Sequence, residues 1–330
     1  IKNYKAKRTK AAFHLKSDFR LMTTGTPIEN HLSEIWTLFS FLNPGFLGTH
    51  NEFTEKFIIP IEKEGDAQAR NSLKKILSPF ILRRLKIDVL EELPEKTEIN
   101  YFIDLSKDEQ ELYEALRRNS VKKIEELKEQ KGGRSHLQIL AELTRLRRAC
   151  CHSSLVSEKL IIESSKIKQF LLIVAELKEN NHKALVFSQF VDYLKILSQV
   201  CDDNNITYQY LDGSTSIKKR QECINAFQSG KGEIFLISLK AGGTGMNLTA
   251  ADYVIHTDPW WNPAVEDQAS DRAHRIGQKR PVTVYRLIAK TTIEEKIIAL
   301  HKKKRELAHS ILEGTDITGK MSTKELLELI

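Results

Sequence analysis

Gln268, Arg272 and Arg275 fall one turn apart along the run Gln268-Ala-Ser-Asp-Arg-Ala-His-Arg-Ile-Gly-Gln278. On a helix this spacing gathers them on one face. A glutamine followed by two guanidinium groups makes a planar, permanently charged fork suited to phosphate oxygens. Asn262 and Pro263 stand just before the run, where an N-cap and a first helical residue belong, and Glu266 and Asp267 lie near the positive end of the helix dipole. The pattern therefore predicts one helix through the run, with Val265, Ala269, Ala273 and Ile276 as its apolar stripe. A plainer reading stands beside this one, because basic residues end many helices and Gly277 suits a cap.

Other candidate groups follow apolar runs that read as strands. Ser188-Gln189 ends one, Gly213-Ser-Thr215 follows another, and Ser238-Leu-Lys-Ala-Gly-Gly-Thr-Gly-Met-Asn247 leaves a third. In that third stretch Gly243 and Gly245 let backbone N–H groups approach a phosphate, and Lys240, Thr244 and Asn247 are polar contacts for a nucleic-acid backbone. A flexible turn explains the same glycines. In Asp258-Pro-Trp-Trp-Asn-Pro263, Trp260 suits a buried corner as well as a base contact, and Trp261 is open to either.

A complete nucleotide site needs GxxxxGK[ST] and an acidic pair for magnesium. Gly314-Thr-Asp-Ile-Thr-Gly-Lys320 has the glycine–lysine spacing, but Met321 stands where a magnesium-binding hydroxyl belongs and a helical pattern precedes it. Asp108-Glu109 is accounted for by a capping box with Ser106. The sequence therefore holds no complete site. Cys150-Cys151-His152 lacks zinc spacing, and the four cysteines form no CxxC pair, which suits reduced thiols.

These groups need elements to hold them. With 41% hydrophobic and 29% charged residues, the 330-residue chain is globular and long enough for about two domains. Its net charge of +7 favours a polyanionic partner. No apolar run approaches a membrane span and no signal peptide opens the sequence, so a cytoplasmic, nucleoid or nuclear location is expected. Phe19–Thr23 reads as a short strand feeding the turn Thr24-Gly-Thr-Pro27, and mostly helical segments follow to Phe80. Tyr101–Leu105 reads as a strand, with a long charged helix to about Gln130 and another over Leu137–Ala149. From Ser164 helices alternate with the strands Ala184–Ser188, Tyr208–Leu211, Glu233–Ser238, Tyr253–Thr257 and Val282–Ile288. Continuous apolar strands separated by helices imply an α/β parallel sheet covered on both faces, which binds ligands at its strands' carboxyl ends. Thr292 and Glu295 predict a boxed final helix whose Lys302–Arg305 run is a solvated face.

Taken in order, Thr24-Gly-Thr-Pro27 with Glu29-Asn30, Pro79–Val89 with Leu93-Pro94, Val186-Phe-Ser-Gln189, Ala241–Asn247, Asp258–Pro263 and Gln268–Gln278 resemble the Swi/Snf-type helicase-like ATPases of superfamily two. The resemblance spans nearly the whole chain. It implies two RecA-like lobes: 1–80 as the end of lobe one with a helical segment, 81–160 as a connector and helical region, 161–290 as lobe two, and 291–330 as a C-terminal helical segment. It further implies an ATPase, using ATP and Mg, that is stimulated by double-stranded DNA and translocates on it without separating strands. The family's phosphate loop and magnesium-binding acidic motif belong upstream, so lobe one here lacks its N-terminal half and this chain by itself is expected to be inactive.

Residue roles carry over by motif. Arg272 and Arg275 match arginine fingers, and Gln268 opens the same motif. Gly243, Thr244 and Gly245 match a motif coupling DNA contact to nucleotide, as Thr24, Gly25 and Thr26 do in lobe one. Ser188, Gln189, Ser214, Thr215 and Trp261 match positions near the DNA, and Arg83, Arg84 and Lys86 lie in the segment joining the lobes. Ser153-Ser154 departs from the family, which often has proline there. The remodelled substrate, a nucleosome or RNA polymerase or bare DNA, is left open. So are a strand-separating or RNA helicase and a catalytically dead nucleic-acid-binding module.

Overall fold

The computed structural model describes residues 1–24, 31–62, 64–82, 92–129, 134–157, 160, 162–242 and 245–301. Gly25, Thr26, Arg83, Arg84, Lys86, Gly243, Thr244 and the Gly314–Lys320 run lie outside these residues. Two compact units make up the chain, Ile1–Leu85 with His301–Ser322, and Lys86–Leu300 with Thr323–Ile330.

The first unit is helical where it is described. Asp66 caps the Ala67–Leu77 helix by accepting from Gln68 and Ala69, and Thr49 and Glu52 form a reciprocal capping box. Leu32, Ile35, Phe39, Phe53, Phe57, Leu73 and Leu77 bury a common core. The strand expected over Phe19–Thr23 does not form. No described strand of this unit offers it a ladder, and Phe19 and Leu21 remain 77% and 75% exposed.

The second unit is built on a parallel sheet. Its described strands are β1 (Lys96–Ile103), β2 (Ala184–Ser188), β3 (Tyr208–Leu211), β4 (Ile234–Ser238), β5 (Tyr253–His256) and β6 (Val282–Ala289). They lie in the order β1-β6-β5-β2-β4-β3, and every pairing is parallel. Successive side chains point to opposite faces, and both faces are dry. Ala184, Val186, Ile234, Leu236, Ile255 and Leu287 meet one set of helices, including Ser165–Glu179 and Val191–Asp203. Leu185, Phe187, Phe235, Ile237, Val254 and Val284 meet the other, with Phe227 of the Ile217–Gln228 helix. This is the RecA-like layering that continuous apolar strands require. Among the described residues, no helix is long and apolar enough to cross a membrane.

One strand belongs elsewhere than its sequence neighbourhood suggested. Tyr101–Leu105 was expected within a connector, yet β1 begins at Lys96 and lies beside β6 from Lys96↔Val282 to Ile103↔Ala289. It sits at the end of the sheet order with most of its residues exposed, so Lys96, Thr97, Glu98 and Asn100 are tolerated there. The charged helix Lys107–Glu129 then starts with the anticipated box: Ser106 N–H donates to Glu109 Oε2 at 2.9 Å, and Glu109 N–H to Ser106 Oγ at 3.3 Å. At the other end, Thr292 Oγ1 accepts from Glu294 N–H at 3.1 Å. Glu294, rather than Glu295, turns back to accept from Ala289 N–H at 2.8 Å.

Candidate functional site

The carboxyl ends of β5, β2 and β4 are neighbours, so the polar residues that follow them are brought together. Asp258 is the hub. Its buried carboxylate accepts from Ser188 Oγ at 2.5 Å, from Gln189 N–H at 3.1 Å, from Thr257 Oγ1 at 3.1 Å, and from Arg147 Nη2 at 3.4 Å. Burial pushes this carboxyl up, and the Arg147 guanidinium is the largest opposing influence. Ser188, expected near the DNA, is buried, with its hydroxyl committed to Asp258. Gln189 stays half-buried, as does Trp261. Trp260 follows the corner reading, packing half-buried beside the Phe187 and Val254 face while its backbone N–H donates to Glu266 Oε1 at 2.7 Å. Glu266 also accepts from Arg286 Nε at 2.8 Å, and Arg286 Nη1 reaches Glu98 at 2.8 Å. These bonds tie the tryptophan corner to β6 and β1.

The arginine segment is only partly a helix. Asn262 caps it by accepting from Ala264 N–H at 3.0 Å, Pro263 opens it, and it ends at Ser270 instead of continuing to Gly277. Turns follow because tertiary hydrogen bonds claim the backbone. Leu248 N–H donates to the Arg272 carbonyl at 3.0 Å. The buried Gln278 amide donates to the carbonyls of Thr249, Ala251 and Ala273 at 3.2, 2.7 and 3.1 Å. Ala269 and Ala273 remain buried on the anticipated stripe, but the turn swings Ile276 out to 69% exposure. Gln268 is half-buried.

The turn separates the two arginines. Arg272 is 8% exposed and its Nε donates to the Gly242 carbonyl at 3.1 Å. Gly242 can only be glycine at this packing, because an added Cβ would lie 2.8 Å from Cε1 of Phe187. Arg275 is exposed and reaches the Gly245 carbonyl at 3.5 Å. Burial, and then the charge of Arg275, hold the Arg272 guanidinium below arginine's usual range. Two cations crowded at a glycine-bearing loop favour an anion. His274 Nε2 anchors the segment by donating to the Pro94 carbonyl at 2.7 Å.

A second polar rim lies at the carboxyl end of β3. Asp212 accepts from Ser214 Oγ at 2.6 Å, Ser214 N–H at 2.8 Å and Tyr210 OH at 3.1 Å, while its own N–H donates to Thr215 Oγ1 at 3.0 Å. Ser214 is exposed and Thr215 half-buried. Next to them, a cavity of about 550 Å³ is lined by Thr215, Arg220, Gln221, Gly245, Met246 and Asn247 among others. Lys240 and Asn247 are exposed in the second unit, and Thr24 is exposed in the first. The Ser214 hydroxyl is the largest influence holding the Asp212 carboxyl below its usual range. A depressed carboxylate contributes stability above its unfolded-state pKa that is lost as pH falls through the folded-state value. Ser214→Ala should therefore raise the Asp212 pKa and narrow that acid-side window, read by carboxyl-carbon NMR titration. An unmoved Asp212 titration refutes the hydroxyl as its cause.

The described residues hold no group of three His, Cys, Asp or Glu side chains placed for a metal, and all four cysteines are free and buried. The residue behind the site that sequence reading missed is Arg147, buried and bonded to Asp258 and Pro259. It lies four residues after Leu143 and eight after Ile139, on the buried stripe of the Arg134–Cys151 helix. That charged intrusion into an apolar face was the available signal.

Residues 1–155 match the SNF2-related domain and residues 164–277 the helicase conserved C-terminal domain. Over its whole length the chain is 41% identical to an uncharacterized ATP-dependent helicase of Mycoplasma genitalium, and covers 31% of it. It is 38% identical to the putative ATP-dependent helicase/translocase YwqA of Bacillus subtilis, covering 36%. The chain thus spans about a third of the length of these curated relatives. Among solved structures, the Sulfolobus solfataricus SWI2/SNF2 ATPase core in complex with dsDNA matches all of this chain with TM-score 0.59 and 38% identity, 70% of that chain being covered. With both domains matched in order and the whole of this chain aligned to that core at 38% identity, this chain belongs to the SWI2/SNF2 family of helicase-related ATPases.

Proposed function

We propose that this chain is the C-terminal portion of a DNA-stimulated ATPase motor that translocates on double-stranded DNA and remodels protein–DNA complexes. The observation carrying this reading is the arginine pair bonded to the Gly242 and Gly245 carbonyls, with Arg275 exposed and its charge acting on the buried Arg272. In phosphoryl transfer the charge developing on the γ-phosphate is stabilised by such guanidinium groups. ATP, with Mg on its phosphates, supplies the transferable phosphoryl group, and the phosphate loop and magnesium ligands come from residues this sequence does not contain. Arg275 supplies the exposed positive charge, Arg272 a buried one bonded to Gly242, and Gln268 opens the same segment. Gln189, Ser214, Thr215, Lys240, Asn247 and Trp261 supply a polar and aromatic surface for a duplex backbone, and Ser188 supports it through Asp258. Thr24, with Gly25 and Thr26, is the corresponding coupling segment of the first unit; Gly243 and Thr244, with Gly245, couple DNA contact to the nucleotide, and Arg83, Arg84 and Lys86 serve as phosphate contacts or a brace. The net charge of +7 suits this partner.

The solved relative in complex with dsDNA supports the duplex over single strands or RNA. A human relative is named a SWI/SNF-related regulator of chromatin, which supports a nucleoprotein substrate; a nucleosome or RNA polymerase as that substrate, and a location in the cytoplasm and nucleoid or in a nucleus, belong to the same proposal. The test is ATP hydrolysis by the full-length protein with and without duplex DNA, together with strand displacement and displacement of a third strand from a triplex. Duplex-stimulated turnover with triplex displacement and no strand separation is expected. Strand separation establishes a helicase instead, and absence of hydrolysis establishes a binding module.

A further inference from the structure

The Arg147 guanidinium is 1% exposed and lies 5.1 Å from the ring centroids of both Phe190 and Trp260, and 5.2 Å from that of Trp261. Its Nη2 donates to the Pro259 carbonyl at 2.8 Å and to Asp258 at 3.4 Å, and its Nε is buried without a hydrogen-bond partner. One side chain from the Arg134–Cys151 helix thus grips the loop leaving β2, through Phe190, and the loop leaving β5, through Pro259 and the two tryptophans. Asp258 closes the same junction from inside by holding Ser188 and Gln189.

Burying a guanidinium with one nitrogen unpaired and its ion pair stretched to 3.4 Å is costly. An aliphatic side chain among three aromatic rings would pack without that cost but would leave the buried Asp258 carboxylate without its cation, so the arginine is accounted for by what it joins and not by packing alone. What a guanidinium adds is a plane that stacks on rings and a fixed fork that orients a carbonyl and a carboxylate together. Gln189 and Trp261 sit on the two loops so joined.

We propose that Arg147 is a positioning residue for DNA-stimulated turnover: it fixes Gln189 and Trp261 relative to one another, so that duplex engaged by one loop is registered by both. The inference rests on the motor reading above. The test uses the full-length protein and the variants Arg147→Lys, which keeps the charge without the plane, and Arg147→Met, which keeps the length without the charge. Basal hydrolysis, duplex-stimulated hydrolysis, the duplex concentration for half-stimulation and tryptophan emission are measured on each.

Basal turnover should stay at the wild-type level, while stimulated turnover falls about fivefold or more, half-stimulation needs more duplex, and lysine restores little of the loss. Emission should shift in both variants, since two of the three tryptophans flank Arg147. Wild-type stimulation in the lysine variant overturns the proposal, as does a parallel fall of basal and stimulated rates, which marks a merely structural role. If the methionine variant does not fold, the lysine variant decides. A wild-type protein without duplex stimulation overturns the motor reading, and with it this inference, whereas stimulation retained in the variants overturns the inference alone.

Discussion

Arg275→Ala in the full-length protein is expected to lower duplex-stimulated ATP hydrolysis by about a thousandfold or more, the usual contribution of an arginine finger, with duplex affinity close to wild type. Arg275 is the cleaner of the pair to remove. It is exposed, and its contact with the Gly245 carbonyl at 3.5 Å is too long to contribute much to folding. Substitutions at such positions usually stay within about 0.5 kcal/mol in stability. Arg272, by contrast, is buried and bonded to Gly242, so its removal confounds loss of charge with loss of loop geometry. Lysine at 275 keeps a charge but not the fork, and should recover little of the rate. Steady-state hydrolysis over a range of DNA concentrations, beside a direct binding isotherm, separates the two effects. Turnover equal to wild type would falsify the assignment of Arg275.

The second large effect is on stability. Lys166 and Glu294 are both wholly buried and paired at 2.7 Å, and Lys166 Nζ also donates to the Thr257 carbonyl at 2.8 Å. Lys166→Met leaves the Glu294 carboxylate without its cation and should cost about 3–5 kcal/mol, measured as a lower urea midpoint. Adding Glu294→Gln removes the orphaned charge while keeping an acceptor for Ala289 N–H, so the double variant should regain most of that loss. The single variant also acquires a pH dependence of defined sign. Burial already pushes the Glu294 carboxyl up, with Lys166 as the largest opposing influence. Without Lys166 its folded-state pKa rises further above the unfolded value, so stability is kept at low pH and lost as pH rises through the folded value. The variant should be less impaired at pH 5 than at pH 8. Equal impairment at both would mean that Glu294 does not carry the penalty.

The strands β2 to β6 were legible because apolar runs bounded by helices leave few alternatives, and Ala184–Ser188 and Tyr208–Leu211 agree residue for residue. Local period fails where distant groups decide. Nothing near Ser270 marks a helix end; Gln278 and Leu248, by binding carbonyls of the segment, end it. The polar residues of β1 resemble a connector until β6 is placed beside them. Arg272 and Arg275 look equivalent at helical spacing, and only the turn makes one buried and the other exposed. Ser188 looked like a surface contact because strand ends carry ligand residues, but the carboxylate that claims its hydroxyl lies on another strand's exit.

The pairing of β1 with β6 has a consequence for biosynthesis. These strands stand near opposite ends of the second unit's sequence, so the first strand of the sheet to leave the ribosome must wait for the last. At roughly 5–20 residues per second the wait is on the order of tens of seconds. Throughout it, Ile99, Tyr101 and Phe102 belong to a strand whose only described partner has not yet been made. The nascent chain therefore passes through a period with an unpaired, aromatic-bearing edge, a target for a ribosome-associated chaperone and a liability for any polypeptide released before residue 289.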